Sequence, residues 1–361
     1  MNPSWADRDS LGRLGALLRA ANYRIDRLPT VLARDTPVDA ILSDIGRYSL
    51  YHLRELSLID DPATVLFELF LLCGQVTEER WRRLDPELAS LLTDLGLVTI
   101  LPGTRRRGTV AITEYENQLF LSDRLFEHGP DGFTRDWPDG GCMPPHASSI
   151  ELRRSVAHLD LPGRSFLDMG CGTGCQSQLA GSGHRLRVGV DISARSVAYA
   201  TANAALNDID ARYVVGDCTT YTDPATYSRI AFNAPDSATA LAFVNTTLRD
   251  LLDPQGVAQI WFDTEITARD GSLDGLLRRM IPDQDSWHLS TVTDSSSPFA
   301  LSRDMVRDRR LPRHSLLADG QTDRAAYHDA LAEREVLEVQ SVVLSLRLRA
   351  SRRGAVAAAA Y

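Results

Sequence analysis

The chain has 361 residues, 43% of them hydrophobic, and a formal net charge of −9. That length and apolar content suit about two domains with real cores, while the acidic balance argues against a general polyanion binder, which needs excess positive charge on at least one face. All 39 basic residues are arginine, which excludes a pyridoxal Schiff base, a lysine nucleophile and a Walker A phosphate loop. The five cysteines are odd in number and contain no CxxC pair, so neither a disulfide framework nor a bound structural metal is expected. With no charged-then-apolar leader and no long apolar span, the expectation is a cytoplasmic protein with no membrane partner.

Residues 1–125 read as a mainly helical accessory domain. Asp9-Ser10 caps a helix whose Leu11, Leu14, Leu17, Leu18 and Ala21 recur at helical spacing, and Pro37 opens another carrying Val38, Ile41, Leu42 and Ile45. Asp61-Pro62 starts a third, Thr77 caps a short fourth, and Pro86 to Leu95 forms a fifth that stops at Gly96. Leu97 to Ile100, a turn through Arg105, Arg106 and Arg107, and Val110 to Thr113 then read as a hairpin. Helices followed by such a hairpin resemble a winged helix. That arrangement would put the three arginines at a wing tip, within reach of phosphates. The preceding helix has no basic or amide face to read bases, so a substrate or dimerisation domain is favoured over a nucleic-acid one. A homodimer is one partner this reading admits.

Residues 126–147 are rich in glycine and proline and form a linker or a loop over a site. Within it Phe133, Trp137, Met143 and His146 are the side chains able to face a substrate. Ser148-Ser149 stands ready to cap a helix from Ile150 to His158.

An apolar strand, Ser165 to Met169, next runs into Gly170-Cys171-Gly172-Thr173-Gly174. A dinucleotide fingerprint would need glycine at 175, which is Cys175; acidic-x-Gly-x-Gly-x-Gly instead fits Asp168, Gly170, Gly172 and Gly174. This resembles motif I of the class I S-adenosylmethionine (SAM) methyltransferases. The expected second strand ends in Asp191, a helix covers Ala194 to Leu206, and a third strand ends in Gly216-Asp217-Cys218. A fourth strand, Arg229 to Phe232, leads to Asn233-Ala234-Pro235-Asp236, and a fifth covers Gly256 to Phe262. Alternating strands and helices imply an α/β fold with an open, mostly parallel sheet, and the resemblance implies that it is Rossmann-like, doubly wound and seven-stranded over residues 148–350.

The resemblance implies SAM as cofactor, with Asp168 at its methionine end, Gly170, Gly172 and Gly174 forming the loop, Asp191 on the ribose, and Asp217 with Cys218 at the adenine. It also places Asn233-Ala234-Pro235-Asp236 where one methyltransferase group carries Asn-Pro-Pro-Tyr. There the asparagine side-chain oxygen accepts from the target amine, a role Asn233 keeps. Asp236 replaces the aromatic that would stack on a base or amide, and reads either as a catalytic carboxylate or as the N-cap of the next helix. Asp263 and Glu265, after the fifth strand, are placed to point into a substrate mouth or into solvent.

Asp294 to Gly320 reads as a polar, arginine-rich mobile insertion, Val336 to Leu348 as a final edge strand, and residues 351–361 as an alanine-rich tail. The expected function is methyl transfer from SAM to a small amine, hydroxyl or carboxyl acceptor, in the manner of specialised metabolism. Two alternatives stand beside it: nitrogen methylation of ribosomal RNA or a protein glutamine, and attack on the aminocarboxypropyl carbon of SAM, which releases methylthioadenosine.

Overall fold

The computed structural model describes residues 8–32, 37–129, 132–135, 138, 140–158, 164–180, 183–313 and 323–349. Helix α1 (Arg8–Ala20) buries Leu11, Leu14 and Leu18, the stripe its spacing predicts, and α2 (Arg27–Val31) follows. The helix expected after Pro37 is broken at Asp44, whose φ of −152° is extended, into α3 (Val38–Ser43) and α4 (Ile45–Ser57). Asp61 caps α5 (Pro62–Leu66), which passes into a buried π-helical turn over Phe67–Leu71. Thr77 caps α6 (Glu78–Trp81) and Asp85 caps α7 (Pro86–Asp94). Arg80 of α6 holds this helical cluster together. Its buried guanidinium pairs with Glu68 at 2.7 Å and donates to the carbonyls of Leu56, Ser57 and Ile59.

Strands β1 (Gln75–Val76), β2 (Val98–Ile100) and β3 (Arg106–Gly108) form an antiparallel sheet in the order β1-β3-β2. The hairpin after α7 therefore returns earlier than its sequence suggests, with Val98 opposite Gly108 and Ile100 opposite Arg106. The apolar run expected as its second strand enters β4 (Ala111–Tyr115), which pairs with β5 (Gln118–Ser122). Burial decides this: Val110, Ala111 and Ile112 sink into the core, and the arginines find carboxylates instead. Arg106 pairs with Glu78 at 2.9 Å above the Trp81 ring, and Arg107 pairs with Glu127 at 2.7 Å. Of the three arginines placed at the turn, Arg105 alone is exposed. A short hairpin, β6 (Phe126–Gly129) with β7 (Gly132–Arg135), leads toward the second half.

That half contains α8 (Ala147–His158), β8 (Ser165–Met169), α9 (Cys175–Leu179), β9 (Leu186–Asp191), α10 (Ala194–Leu206), β10 (Arg212–Val215) and β11 (Tyr227–Asn233). There follow α11 (Ser237–Asn245), α12 (Leu248–Leu251), β12 (Leu252–Thr267), α13 (Leu273–Met280), β13 (Trp287–Thr293), α14 (Arg303–Arg307), α15 (Arg324–Glu333) and β14 (Val336–Leu348). The strand order is β10-β9-β8-β11-β12-β14-β13, parallel throughout except for β14. This is the expected α/β fold with seven strands. One position differs: β14 lies between β12 and β13, so the edge belongs to β13 and not to Val336–Leu348. The segment after Asp294 is also anchored at its start, where Ser297 is buried and Leu301 bridges to Val339. Residues 314–320 of that segment, and the tail at 351–361, lie outside the described residues.

The two halves share their packing. One apolar cluster runs from Leu11 and Leu14 through Phe67 and Phe120 to Cys175, Leu179, Tyr199 and Leu206. Helix α1 crosses the end of α10 so closely that a Cβ on Gly15 would lie 2.1 Å from the Leu206 carbonyl oxygen. Helix α10 also serves β5 as a neighbouring strand would. Asn203 Oδ1 accepts from Leu121 N at 2.7 Å and Asn203 Nδ2 donates to Leu121 O at 3.0 Å; Asn207 repeats both bonds with Leu119 at 2.9 and 2.8 Å. Two amides one turn apart thus satisfy a strand's backbone donors and acceptors. After β5, the Asp123 carboxylate accepts from Arg195 Nε at 2.8 Å, Cys142 N at 2.8 Å and the Tyr199 hydroxyl at 2.9 Å. This ties the glycine- and proline-rich loop to the start of α10.

Candidate active site

A cavity of about 1020 Å³ opens at the carboxyl ends of β8, β9, β10, β11 and β12. Strand β8 has β9 on one side and β11 on the other. Chain order therefore reverses here, where open α/β sheets form ligand crevices. The volume sits at the upper end for small-ligand sites, with room for a nucleoside cofactor and a second small molecule.

Asp168, 2% exposed, ends β8; its Oδ2 accepts from Ser177 N at 2.9 Å in the first turn of α9. Burial pushes its pKa up to about 7 despite that bond. Gly170, Gly172 and Gly174 all have positive φ, of 59°, 52° and 79°. The case is clearest at Gly172, where a Cβ would meet no protein atom within 4 Å because it would stand in the open cavity. Asp191, at the end of β9, accepts from Gly172 N and from Ser193 N, each at 2.9 Å, so it shapes the loop as well as lining the cavity. Burial raises its pKa too. Asp217 lines the cavity after β10, held below the usual carboxylate range by the N–H and hydroxyl of Thr219. Beside it Cys218 is half-buried, and burial pushes its thiol up to about 11.

The other end of the cavity is built around Asn233, the last residue of β11. Its Nδ2 donates to Ser148 Oγ at 2.9 Å and lies 3.4 Å from Ser149 Oγ. Both serines fall within the first turn of α8, which starts at Ala147, so they are not the caps their sequence position suggests. Ser148 Oγ lies 3.3 Å from His146 Nε2, and His146 Nδ1 lies 3.1 Å from the Pro144 carbonyl. A carbonyl can only accept, so Nδ1 carries a proton, and with the ring neutral Nε2 takes the one proton Ser148 has. Ser148 must then accept from Asn233, which fixes the amide with its NH2 toward Ser148. The Oδ1 is left buried without a partner.

Gln176, 3% exposed in α9, is in the same condition: Nε2 donates to Ser149 O at 2.9 Å and Oε1 has no partner. Two acceptors without donors, an open glycine cradle and two carboxylates on adjacent strand ends fit a cofactor rich in N–H and O–H donors.

Cys142, Met143 and His146 from the loop line the cavity, whereas Trp137 lies outside the described residues. Asp236 is exposed and absent from the lining; its Oδ1 caps α11 through Thr239 N at 2.7 Å. Several lining residues went unmarked in the sequence. Phe299 meets Trp261 and His146 edge-on at centroid distances of 5.7 and 6.3 Å, and Trp261 Nε1 donates to Glu151 Oε2 at 2.7 Å. Phe299 follows three serines and a proline in a polar stretch, and the one signal available was an isolated aromatic there. Asp263, which sequence places at a mouth or in solvent, lines the cavity. Its pKa is raised by burial and by the nearby carboxylates of Asp236 and Glu265.

Residues 166–256 match a protein family described as "Methyltransferase domain". No curated protein matches the chain. Among solved structures it is similar to a SAM-dependent methyltransferase from Thiobacillus denitrificans in complex with S-adenosylhomocysteine (16% identity, 55% of this chain and 91% of that one, TM-score 0.34). A second, from Geobacter sulfurreducens with the same ligand, is 20% identical over 55% of this chain and 91% of that one, with TM-score 0.35. Trm5b from Pyrococcus abyssi is 14% identical over 70% of this chain and 62% of that one, with TM-score 0.42. The family match falls on the strands that build this cavity and marks residues 166–256 as a methyltransferase domain.

Proposed function

We propose that the enzyme transfers the methyl group of SAM to a small-molecule acceptor held at Asn233. The observation that carries this reading is the unpartnered Oδ1 of Asn233, fixed as an acceptor by the Ser148–His146 relay. An N–H or O–H of the acceptor completes that bond, and its lone pair is thereby aimed. Bound SAM supplies an activated methyl on a sulfonium whose departure leaves a neutral thioether. Little chemistry is then left to the protein beyond alignment, which is worth several kcal/mol when reacting atoms are held about 3 Å apart. Asp168 and Gln176 take the methionine end, Asp191 the ribose, and Asp217 with Cys218 the adenine. Asp236 contributes by capping α11.

Two features favour a small acceptor over RNA or a protein glutamine. The position after Asn233 where an aromatic would stack on a base carries Ala234-Pro235-Asp236, with the carboxylate turned to its own helix. Arg106 and Arg107 are engaged by Glu78 and Glu127 and are not presented to phosphates. We read the first 125 residues as a support for α10, since their apolar side chains share one cluster with its Tyr199 and Leu206.

The test is incubation of the purified chain with SAM, with and without a panel of amines, hydroxyls and carboxylates, followed by liquid chromatography and mass spectrometry of the nucleosides. S-adenosylhomocysteine formed only when an acceptor is present is the expected result. Methylthioadenosine above a protein-free control would move the chemistry to the aminocarboxypropyl carbon.

A further inference from the structure

The charges around the cavity narrow the acceptor. Four aspartates line it, Asp168, Asp191, Asp217 and Asp263, and no arginine does so among the described residues. The first three end β8, β9 and β10 at the cofactor side. Asp263 stands apart on β12, two residues beyond Trp261, which is in register with Asn233. Alternate residues of a strand share a face, so Asn233, Trp261 and Asp263 present to the same side of the sheet.

On that strand Glu265 is paired with Arg334 at 2.7 Å, whereas Asp263 has no ion pair among the described residues. The buried acceptor Asn233 Oδ1, without a partner, likewise calls for a donor. Phe299 and Trp261 add aromatic surface, which attracts cations and packs against flat or apolar bodies. A carboxylate or phosphate would meet four aspartates here and, among the described residues, no arginine.

Resting on the reading of Asn233 as the acceptor position, we propose that the acceptor is a protonatable amine on a small aromatic or apolar body, with Asp263 answering its charge and taking its proton. An ammonium nitrogen has no lone pair to give, so one proton first passes from it to the Asp263 carboxylate. The freed pair forms the N–CH3 bond as the C–S bond breaks and leaves its electrons on sulfur. The product is the N-methylammonium, and Asp263 then releases its proton to solvent. Burial holds Asp263 above the usual carboxylate range, which makes it a better base than an exposed aspartate.

The experiment uses the full chain saturated with S-adenosylhomocysteine and a matched set of phenylalkyl fragments bearing an ammonium, a hydroxyl or a carboxylate. Dissociation constants are measured by ligand-observed NMR for the wild type and for Asp263→Asn. The ammonium fragment is expected to bind at least about tenfold more tightly than the carboxylate. Asp263→Asn removes that preference and leaves S-adenosylhomocysteine affinity unchanged. Equal or better binding of the hydroxyl or carboxylate fragment overturns the proposal, as does a preference that survives in Asp263→Asn. Should the variant fail to fold, the ranking in the wild type still decides. Failure of S-adenosylhomocysteine itself to bind would sink the cofactor site instead, so the two failures are told apart.

Discussion

Two aspartates near the ends of adjacent strands do different work because one is buried and the other is not. Asp236 is exposed and caps α11. Asp236→Ala is therefore expected to lower stability by about 1 kcal/mol with turnover nearly unchanged, and Asp236→Asn, an equally good cap, to change neither. Thermal melts beside a methyl-transfer assay check both, and a large loss of turnover at full stability would return Asp236 to the chemistry. Asp168 is the opposite case. Between the ordinary value of 3.8 and about 7 the folded chain keeps a proton on Asp168 that the unfolded chain has lost, so this group's contribution to stability falls as pH rises through that window. A ligand ammonium placed against the ionised carboxylate offsets that loss. The rise in melting temperature on adding SAM should be larger at pH 8 than at pH 5.5, and Asp168→Asn should shrink the difference. An equal rise at both values would detach Asp168 from the cofactor's amine.

Among the elements, α10 joins recognition to support. Its Asn203 bonds Leu121 on both sides and also donates to Thr173 O at 3.0 Å within the glycine loop. Asn203→Ala leaves these buried groups unsatisfied and is expected to cost roughly 2 kcal/mol or more. It should also weaken SAM binding, although Asn203 does not line the cavity; calorimetry with SAM beside a thermal melt measures both effects.

The glycine loop, the acid ending β9, the span of α10 and Asn233 were legible because each is a local pattern with a local cause: a positive φ, a strand end, a helical period. What was not legible depended on partners far along the chain. Trp287 to Thr293 goes unmarked in the sequence, yet it is the sheet edge because β14 offers it a ladder. The Val336 to Leu348 run reads as an edge strand, and its interior place follows from a neighbour the pattern could not name. The hairpin after α7 was misregistered because Glu78 and Glu127, distant in sequence, settle the arginines. Phe299 joined the site through the same kind of long-range placement, whereas Asp263 was already one of the acids the sequence offered to a substrate mouth.

For the molecule as a whole, the continuous apolar cluster makes the accessory part and the cofactor domain one folding problem. A fragment covering residues 148–349 exposes the inner faces of Cys175, Leu179, Tyr199 and Leu206, and it is expected to aggregate or to lack a cooperative melt where the full chain has one. Circular dichroism of the two proteins decides it. A soluble fragment that melts sharply and binds SAM would show that the first half is an appendage. The same seam sets a timetable during synthesis. The first half leaves the ribosome with β5 lacking the amides of Asn203 and Asn207, and with α1 lacking the surface on which Gly15 rests. At bacterial and eukaryotic elongation rates the roughly 80 residues from β6 to the end of α10 take on the order of ten seconds to appear. For that interval an apolar flank stands open, and slow codons placed before α10 are expected to lower the soluble yield of the chain without altering a single side chain.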